Sequence, residues 1–329
     1  MTPESVPSVL ECGAGGFIGG HLVRRLVSMG VRVRAVDKKA LEDWHQISSE
    51  ASNRAIDLSD AHGCREAVLD VTSVYNFASD MGGMGFIESN RALCMLNVLI
   101  NTHLLNAARE AGVERFFFAS SACVYPLDRQ QAPDAAALKE PDAYPAMPED
   151  GYGWEKLFGE RLCRHFLEDF GVGTRVARFH NVYGPQGAWR GGREKAPAAI
   201  CRKVIQAKRN RDPTIEIWGD GRQARSFTWI DDAVEGTVRL MKSECAEPVN
   251  VGSSERVTLD GLVDIVEHVA GVRLKRVYLV DAPRGVGARN SDNTFIREQL
   301  GWEPSTALQD GIEKTYRWIY DEMARSGAI

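Results

Sequence analysis

Over the first 180 positions, short apolar blocks alternate with longer amphipathic stretches. SVLECGAGG passes from an apolar block into glycines, FIGGHLVRRLVSMG carries apolar positions at helical spacing, and VRVRAVD returns to an apolar run ending in Asp37. Short apolar runs bounded by Gly or Asp predict strands, and the 3.6-residue period between them predicts a helix, so the three segments make a βαβ unit. VTSVYNFA, ERFFFASS and TRVARFHNVYG repeat the strand signal, while LCMLNVLINTHLLNAAREAG and YGWEKLFGERLCRHFLEDFG read as helices. Strands alternating with helices predict an α/β fold, a doubly wound parallel sheet of Rossmann type whose ligands bind beyond the carboxyl ends of the strands. After about residue 181 the blocks shorten; TIEIWGDG predicts a strand and WIDDAVEGTVRLMKS a helix. The expected organisation is a Rossmann domain over 1–180 and a smaller, interleaved C-terminal substrate-binding lobe over 181–329, with the helix near 229–243 returning to the first domain.

Composition narrows the partners. With 44% hydrophobic and 26% charged residues, the 329-residue chain has enough apolar material for one large domain or two that share an interface. A net charge of −5 argues against nucleic acid or an anionic membrane as the main partner. The amino terminus has neither a basic stretch nor a long apolar core, and no run of apolar residues is long enough to span a bilayer, so a cytoplasmic protein is expected. Seven cysteines (12, 64, 94, 123, 163, 201, 245) are odd in number and form no CxxC pair, which predicts reduced, buried thiols rather than a disulfide framework or a zinc site. No His, Asp and Glu cluster shows metal-ligand spacing, so no metal is expected.

The chemistry is concentrated in two motifs. GAGGFIG places Gly13, Gly16 and Gly19 between a strand and a helix, where the backbone turns tightly and presents a helix amino terminus to a pyrophosphate. Asp37 closes the next strand; its carboxylate accepts from ribose hydroxyls and repels a 2′-phosphate, which favours NAD over NADP. YGWEK puts Tyr152 and Lys156 on one helix face, where an ammonium is expected to lower the phenol pKa and to hold the nicotinamide ribose. Ser121, at a serine-rich strand end, would share a proton with the reacting hydroxyl.

Taken together, GAGGFIG, SSACVYP, YGWEK and RFHNVYGP resemble the extended short-chain dehydrogenase/reductase superfamily, in particular the nucleotide-sugar epimerases and dehydratases of the NAD-dependent epimerase/dehydratase family. DMGGMGF, GGREKAPAAICRK, GDGRQARSF and RNSDN narrow the resemblance to its GDP-mannose 3,5-epimerases. The resemblance implies a GDP-sugar substrate, a homodimer, and NAD contacts from Phe17, Ile18, Asp57 and Ala78 beside the glycines, Asp37, Tyr152 and Lys156. It implies phosphate contacts from Lys203, Arg225 and Arg289. Gly82, Ala122, Asn181, Glu194, Ala196, Gln223 and Ala224 would line the sugar or nucleotide pocket. His180 reads as structural.

Cys123 is where the sequence departs from the dehydratases, in which the corresponding strand end carries a glutamate as base and an aspartate at the place of Ala122. Once the sugar C4 hydroxyl has become a ketone, the hydrogens on C3 and C5 are acidic, and inversion needs a base on one ring face and an acid on the other. Cys123 and Lys195 would form that pair, with the thiol pKa lowered from about 8.5 by the nicotinamide cation of NAD or by a nearby ammonium, for which Lys195 is the candidate. A 4-epimerase or 4,6-dehydratase on another nucleotide sugar is the alternative within the fold, and a non-catalytic NAD sensor the alternative of another class.

Overall fold

The computed structural model describes residues 8–282 and 285–329. Seven strands form one parallel sheet: Ser8–Cys12 (β1), Arg32–Asp37 (β2), Ser52–Ala55 (β3), Ser73–Asn76 (β4), Arg115–Ser121 (β5), Gly173–Phe179 (β6) and Val249–Val251 (β7). Their order is β7-β6-β5-β4-β1-β2-β3. The strand order turns back on itself beside β1, which pairs with β2 on one side and β4 on the other, so the crossovers leave a crevice at the carboxyl end of β1.

Alternation along β1 shows why the sheet is doubly covered. Val9 belongs to an apolar cluster with Leu22 and Leu26 of helix Phe17–Ser28 (α1), whereas Leu10 belongs to a cluster on the opposite face with Leu104 and Leu105 of Asn97–Glu110 (α2) and Phe166 of Tyr152–Phe170 (α3). Each fully buried Leu or Phe of this kind stabilises the fold by roughly 1.5–3 kcal/mol. The first layer continues through Ala196–Asn210 (α4), Ile230–Lys242 (α5), Leu259–Ala270 (α6) and Leu308–Arg325 (α7), with Val204, Ile230, Val263 and Ile312 in the same cluster.

Beyond β6 the chain also builds smaller sheets. Thr214–Trp218 pairs parallel with Lys275–Leu279, and Ala224–Ser226 lies between Arg256–Thr258 and Ala288–Arg289. The long strand expected over TRVARFHNVYG stops at Phe179, because Asn181 takes a positive φ of 41° that breaks the extended run; Val182–Tyr183 then pairs with Thr228–Trp229 outside the main sheet. The helix expected over 93–112 starts earlier and is divided at Leu96 into Arg91–Met95 and α2.

Asn250, at the centre of β7, ties the last strand to the rest. Its Oδ1 accepts from Tyr125 Oη at 2.6 Å and from His180 Nε2 at 3.1 Å, its Nδ2 donates to Leu138 O, and its backbone N–H donates to Glu140. All seven cysteines are free, six of them buried. No described helix is long and apolar enough to cross a membrane.

Candidate active site

A cleft of about 670 Å³ opens at the carboxyl end of the sheet, and all the residues read as cofactor contacts line it: Gly13, Gly16, Phe17, Ile18, Gly19, Asp37, Asp57, Ala78, Tyr152 and Lys156. Gly13 has φ +99°, and a Cβ there would stand 2.9 Å from Ala78 N; a Cβ on Gly19 would collide with Gly13 O. The turn is therefore closed to larger residues. Helix α1 starts from Gly16 with no side-chain cap and no acidic residue in its first turn, so its free N–H groups and dipole face the cleft, a setting made for pyrophosphate oxygens. Among the described residues, the Asp37 carboxylate accepts one hydrogen bond, from Lys39 N. The two cations after Asp37 are engaged by the protein: Lys38 pairs with Asp80 at 2.5 Å and Lys39 Nζ donates to Gly15 O at 2.8 Å. Asp57 accepts from the backbone and hydroxyl of Ser59, which hold its carboxyl below the usual range. These features would suit NAD, with the amino terminus of α1 available to a pyrophosphate and the Asp37 carboxylate to ribose hydroxyls.

Ser121, Tyr152, Lys156, Gly82 and Lys195 line the same cleft. Lys156 Nζ lies 5.4 Å from the Tyr152 ring centre and 3.6 Å from Glu155 Oε2, with all three side chains buried. Burial holds the Tyr152 phenol well above its ordinary pKa; Cys123 and Glu155 push the same way, and the Ser121 hydroxyl opposes them. Burial therefore outweighs the lowering expected from Lys156 in this arrangement. Glu155 in turn accepts from Asn101 Nδ2 at 2.7 Å, Asn101 accepts from Asn76 at 2.7 Å, and Asn76 accepts from Ala78 N. Sequence reasoning missed this chain, although Glu155 lies inside the YGWEK motif.

Cys123 follows β5 in a short 3₁₀ turn, its N–H donating to Ser121 Oγ and its side chain packed with Tyr152, Cys94 and Ile87. Burial first, then the charge of Glu149, push its thiol up to about 12, against the pull of Arg289. The rise runs against the expected lowering, because burial together with the Glu149 carboxylate outweighs the nearby cation. Glu149 was also missed: its N–H donates to Cys123 O, which sets its carboxylate beside the thiol. Arg289, expected on phosphate, lies beside the thiol, with Nη1 3.4 Å from Cys123 Sγ, Nη2 2.6 Å from Glu149 Oε1 and Nε 2.7 Å from Gln130 Oε1. Ala122, beside Cys123, is buried in an apolar cluster with Val124 and Tyr125.

The other expected pocket residues lie on the C-terminal side. Lys195 caps α4, whose first residue is Ala196; burial lowers its ammonium pKa, with Cys123 opposing and Arg289 reinforcing. Glu194 accepts from Arg202 at 3.0 Å and from Gly192 N. Lys203 Nζ donates to Glu216 O, Gln223 Nε2 to Trp218 O, and Asn181 Nδ2 to Ser226 O. Ala224 and Arg225 share one strand; Arg225 donates to Ala224 O and Val286 O, and burial with the repulsion of Arg289 brings it down to about 10. His180 is fully buried on Asn250 and away from the cleft lining.

Residues 9–252 match the NAD dependent epimerase/dehydratase family. The chain is similar to GDP-mannose 3,5-epimerase 1 of Oryza sativa subsp. indica, 48% identical over 314 residues covering 95% of this chain and 82% of that one. It is likewise similar to GDP-mannose 3,5-epimerase of Arabidopsis thaliana, 46% identical over 96% of this chain and 83% of the relative. Among solved structures, UDP-glucose 4-epimerase of Thermotoga maritima superposes with a TM-score of 0.86 at 23% identity, covering 96% of this chain and 99% of that one. The glycine turn, the parallel sheet and these similarities make this chain a member of the NAD dependent epimerase/dehydratase family, with NAD as its cofactor.

Proposed function

We propose that this chain is a GDP-mannose 3,5-epimerase. The observation that carries the reading is the meeting of a thiol and an amine, Cys123 and Lys195, at the carboxyl end of β5 beside Tyr152, in a chain 48% identical to a relative of that name. Held by Gly13, Gly16, Gly19, Asp37 and Lys156, bound NAD would supply reversible hydride exchange for sugar C4. Tyr152 takes and returns the C4 hydroxyl proton, Ser121 steadies that hydroxyl, and Lys156 holds the phenol and the ribose. Cys123 and Lys195 exchange protons with the ring carbons next to C4. Glu194, Ala196, Asn181 and Gly82 surround the sugar; Lys203, Gln223, Ala224 and Arg225 reach its nucleotide diphosphate.

The division of labour follows the chain. Residues 8–180 with α5 and β7 hold NAD, and the remainder of 181–329 closes over the sugar nucleotide. Exposed Leu93, Met95, Leu96 and Leu99, near exposed Trp154 and Phe158 on α3, supply an apolar face for a homodimer. The seven free thiols suit the reducing cytoplasm.

Incubation with GDP-mannose in D₂O, read by NMR at each ring carbon, tests the reading. Deuterium at C5 and C3, with GDP-L-gulose appearing before GDP-L-galactose, is the expected result. Label at C5 alone makes the enzyme a 5-epimerase. Change of configuration at C4 with no label at either carbon overturns the proposal in favour of a 4-epimerase.

A further inference from the structure

Where the chain leaves β2, three charged residues follow one another: Asp37, Lys38 and Lys39. A 2′-phosphate is repelled by a carboxylate and held by an ammonium, so this run carries both signals, and the fold decides between them by what each lysine touches. Lys39 Nζ donates to Gly15 O at 2.8 Å and so lies on the glycine turn. Lys38 turns the other way. Its Nζ reaches Asp80 Oδ2 at 2.5 Å, and Asp80 follows β4 as Lys38 follows β2. β1 pairs with both of those strands, so the ion pair spans the carboxyl end of β1, two strand spacings or roughly 9–10 Å from one outer strand to the other.

Asp80 is the fixed member of the pair. Its N–H donates to Asn97 Oδ1 at 2.8 Å, its carbonyl accepts from Asn97 Nδ2 at 3.2 Å, and its Oδ1 lies 3.7 Å from Arg193 Nη2. Its side chain is 19% exposed against 54% for Lys38, so the carboxylate is the anchor and the lysine the arm that can swing. Asp37, Lys38, Lys39 and Asp80 all line the cleft, with His45 and Asp57 beside them. Asp57 is engaged by Ser59.

Resting on the reading that Asp37 meets the ribose of NAD, we propose that Asp80 is a second cofactor-specificity residue, which holds Lys38 across the crevice and so withholds it from a 2′-phosphate. NADP is then refused twice, by the charge of Asp37 and by the withdrawal of the ammonium next to it. Loss of the Asp80 carboxylate releases Lys38, while Asn97 still ties the backbone of residue 80 on both sides.

Isothermal titration of the full-length chain with NAD and with NADP tests this and needs no turnover. The quantity read is the ratio of NADP to NAD affinity, in which charge effects on the shared parts of the two dinucleotides cancel. Adding Asp80→Asn to Asp37→Ala is expected to raise that ratio by about tenfold, and adding Lys38→Ala to the pair is expected to return it to the Asp37→Ala value. An unmoved ratio overturns the proposal, and so does a rise that persists without Lys38, which would make Asp80 a mere source of negative charge. Lys38→Ala combined with Asp37→Ala alone leaves Asp80 intact and is expected to change nothing, since the lysine is already withheld; a fall in the ratio there means that Lys38 serves the phosphate in spite of Asp80, and the proposal fails. An Asp37→Ala variant that binds NAD as tightly as the wild type overturns the ribose reading and the proposal with it, whereas a weakened NAD with an unmoved ratio on adding Asp80→Asn overturns the proposal alone.

Discussion

In the proposed mechanism, Tyr152, Cys123 and Asp37 divide the chemistry into steps that single substitutions can separate. Tyr152→Phe removes the group proposed to move the C4 proton and leaves the packing with Cys123, Cys94 and Ile87 in place. All turnover is expected to fall by roughly 10²–10⁴-fold, with no absorbance from bound NADH when GDP-mannose is added. Cys123→Ala is expected to keep that absorbance and to lose the deuterium at the ring carbons, since it spares C4 and removes half of the inverting pair. Epimerisation by the alanine variant at the wild-type rate would make the thiol a packing residue. Asp37→Ala removes a carboxylate whose described protein partner is a single backbone N–H, so NAD affinity is expected to fall while affinity for GDP-mannose holds. Isothermal titration with each ligand in turn reads this. Tyr152, Lys156, Cys123 and Lys195 were legible because each stands in a short motif. Glu149 and Arg289 were not legible as a pair, since 140 residues separate them and only the folded lobe brings them within 2.6 Å.

Among the elements, long periodic helices and the apolar strands of the sheet centre were readable, because burial on both faces writes a continuous apolar run. β3, with the sequence SNRA and exposed along most of its length, carries no such signal, and β7 has three residues, too few for a period. α7 shows what tight packing in the other layer demands. A Cβ on Gly311 would collide with Tyr183 Oη and stand 2.9 Å from Trp229, so the helix lies directly against those rings. Gly311→Ala is expected to destabilise the fold by about 1–3 kcal/mol through overpacking, despite the better helix propensity of alanine, and to lower the thermal midpoint in calorimetry.

At the scale of the whole molecule, acid stability follows from His180. Burial lowers its pKa to about 3, with the Asn250 hydrogen bond opposing. Below about pH 6.5 the unfolded chain gains a proton there that the folded chain refuses until about pH 3, so stability falls as pH drops through that window. Urea midpoints measured at pH 7 and pH 5 should differ less in His180→Gln than in the wild type. Association is expected to depend on the exposed apolar helix face: Leu96→Glu should lower the sedimentation coefficient toward that of a single chain, and an unchanged value would place the interface elsewhere. The seventh strand has a consequence for biosynthesis. β7 is made after α4, α5 and the first small strands, yet it forms the outer edge of the NAD-binding sheet and supplies Asn250 to Tyr125 and His180. On the ribosome, then, strands β1 to β6 must wait for residues 180–248 to be translated before their sheet is complete, and a nascent chain halted near residue 245 should be far more open to protease than one released past residue 252.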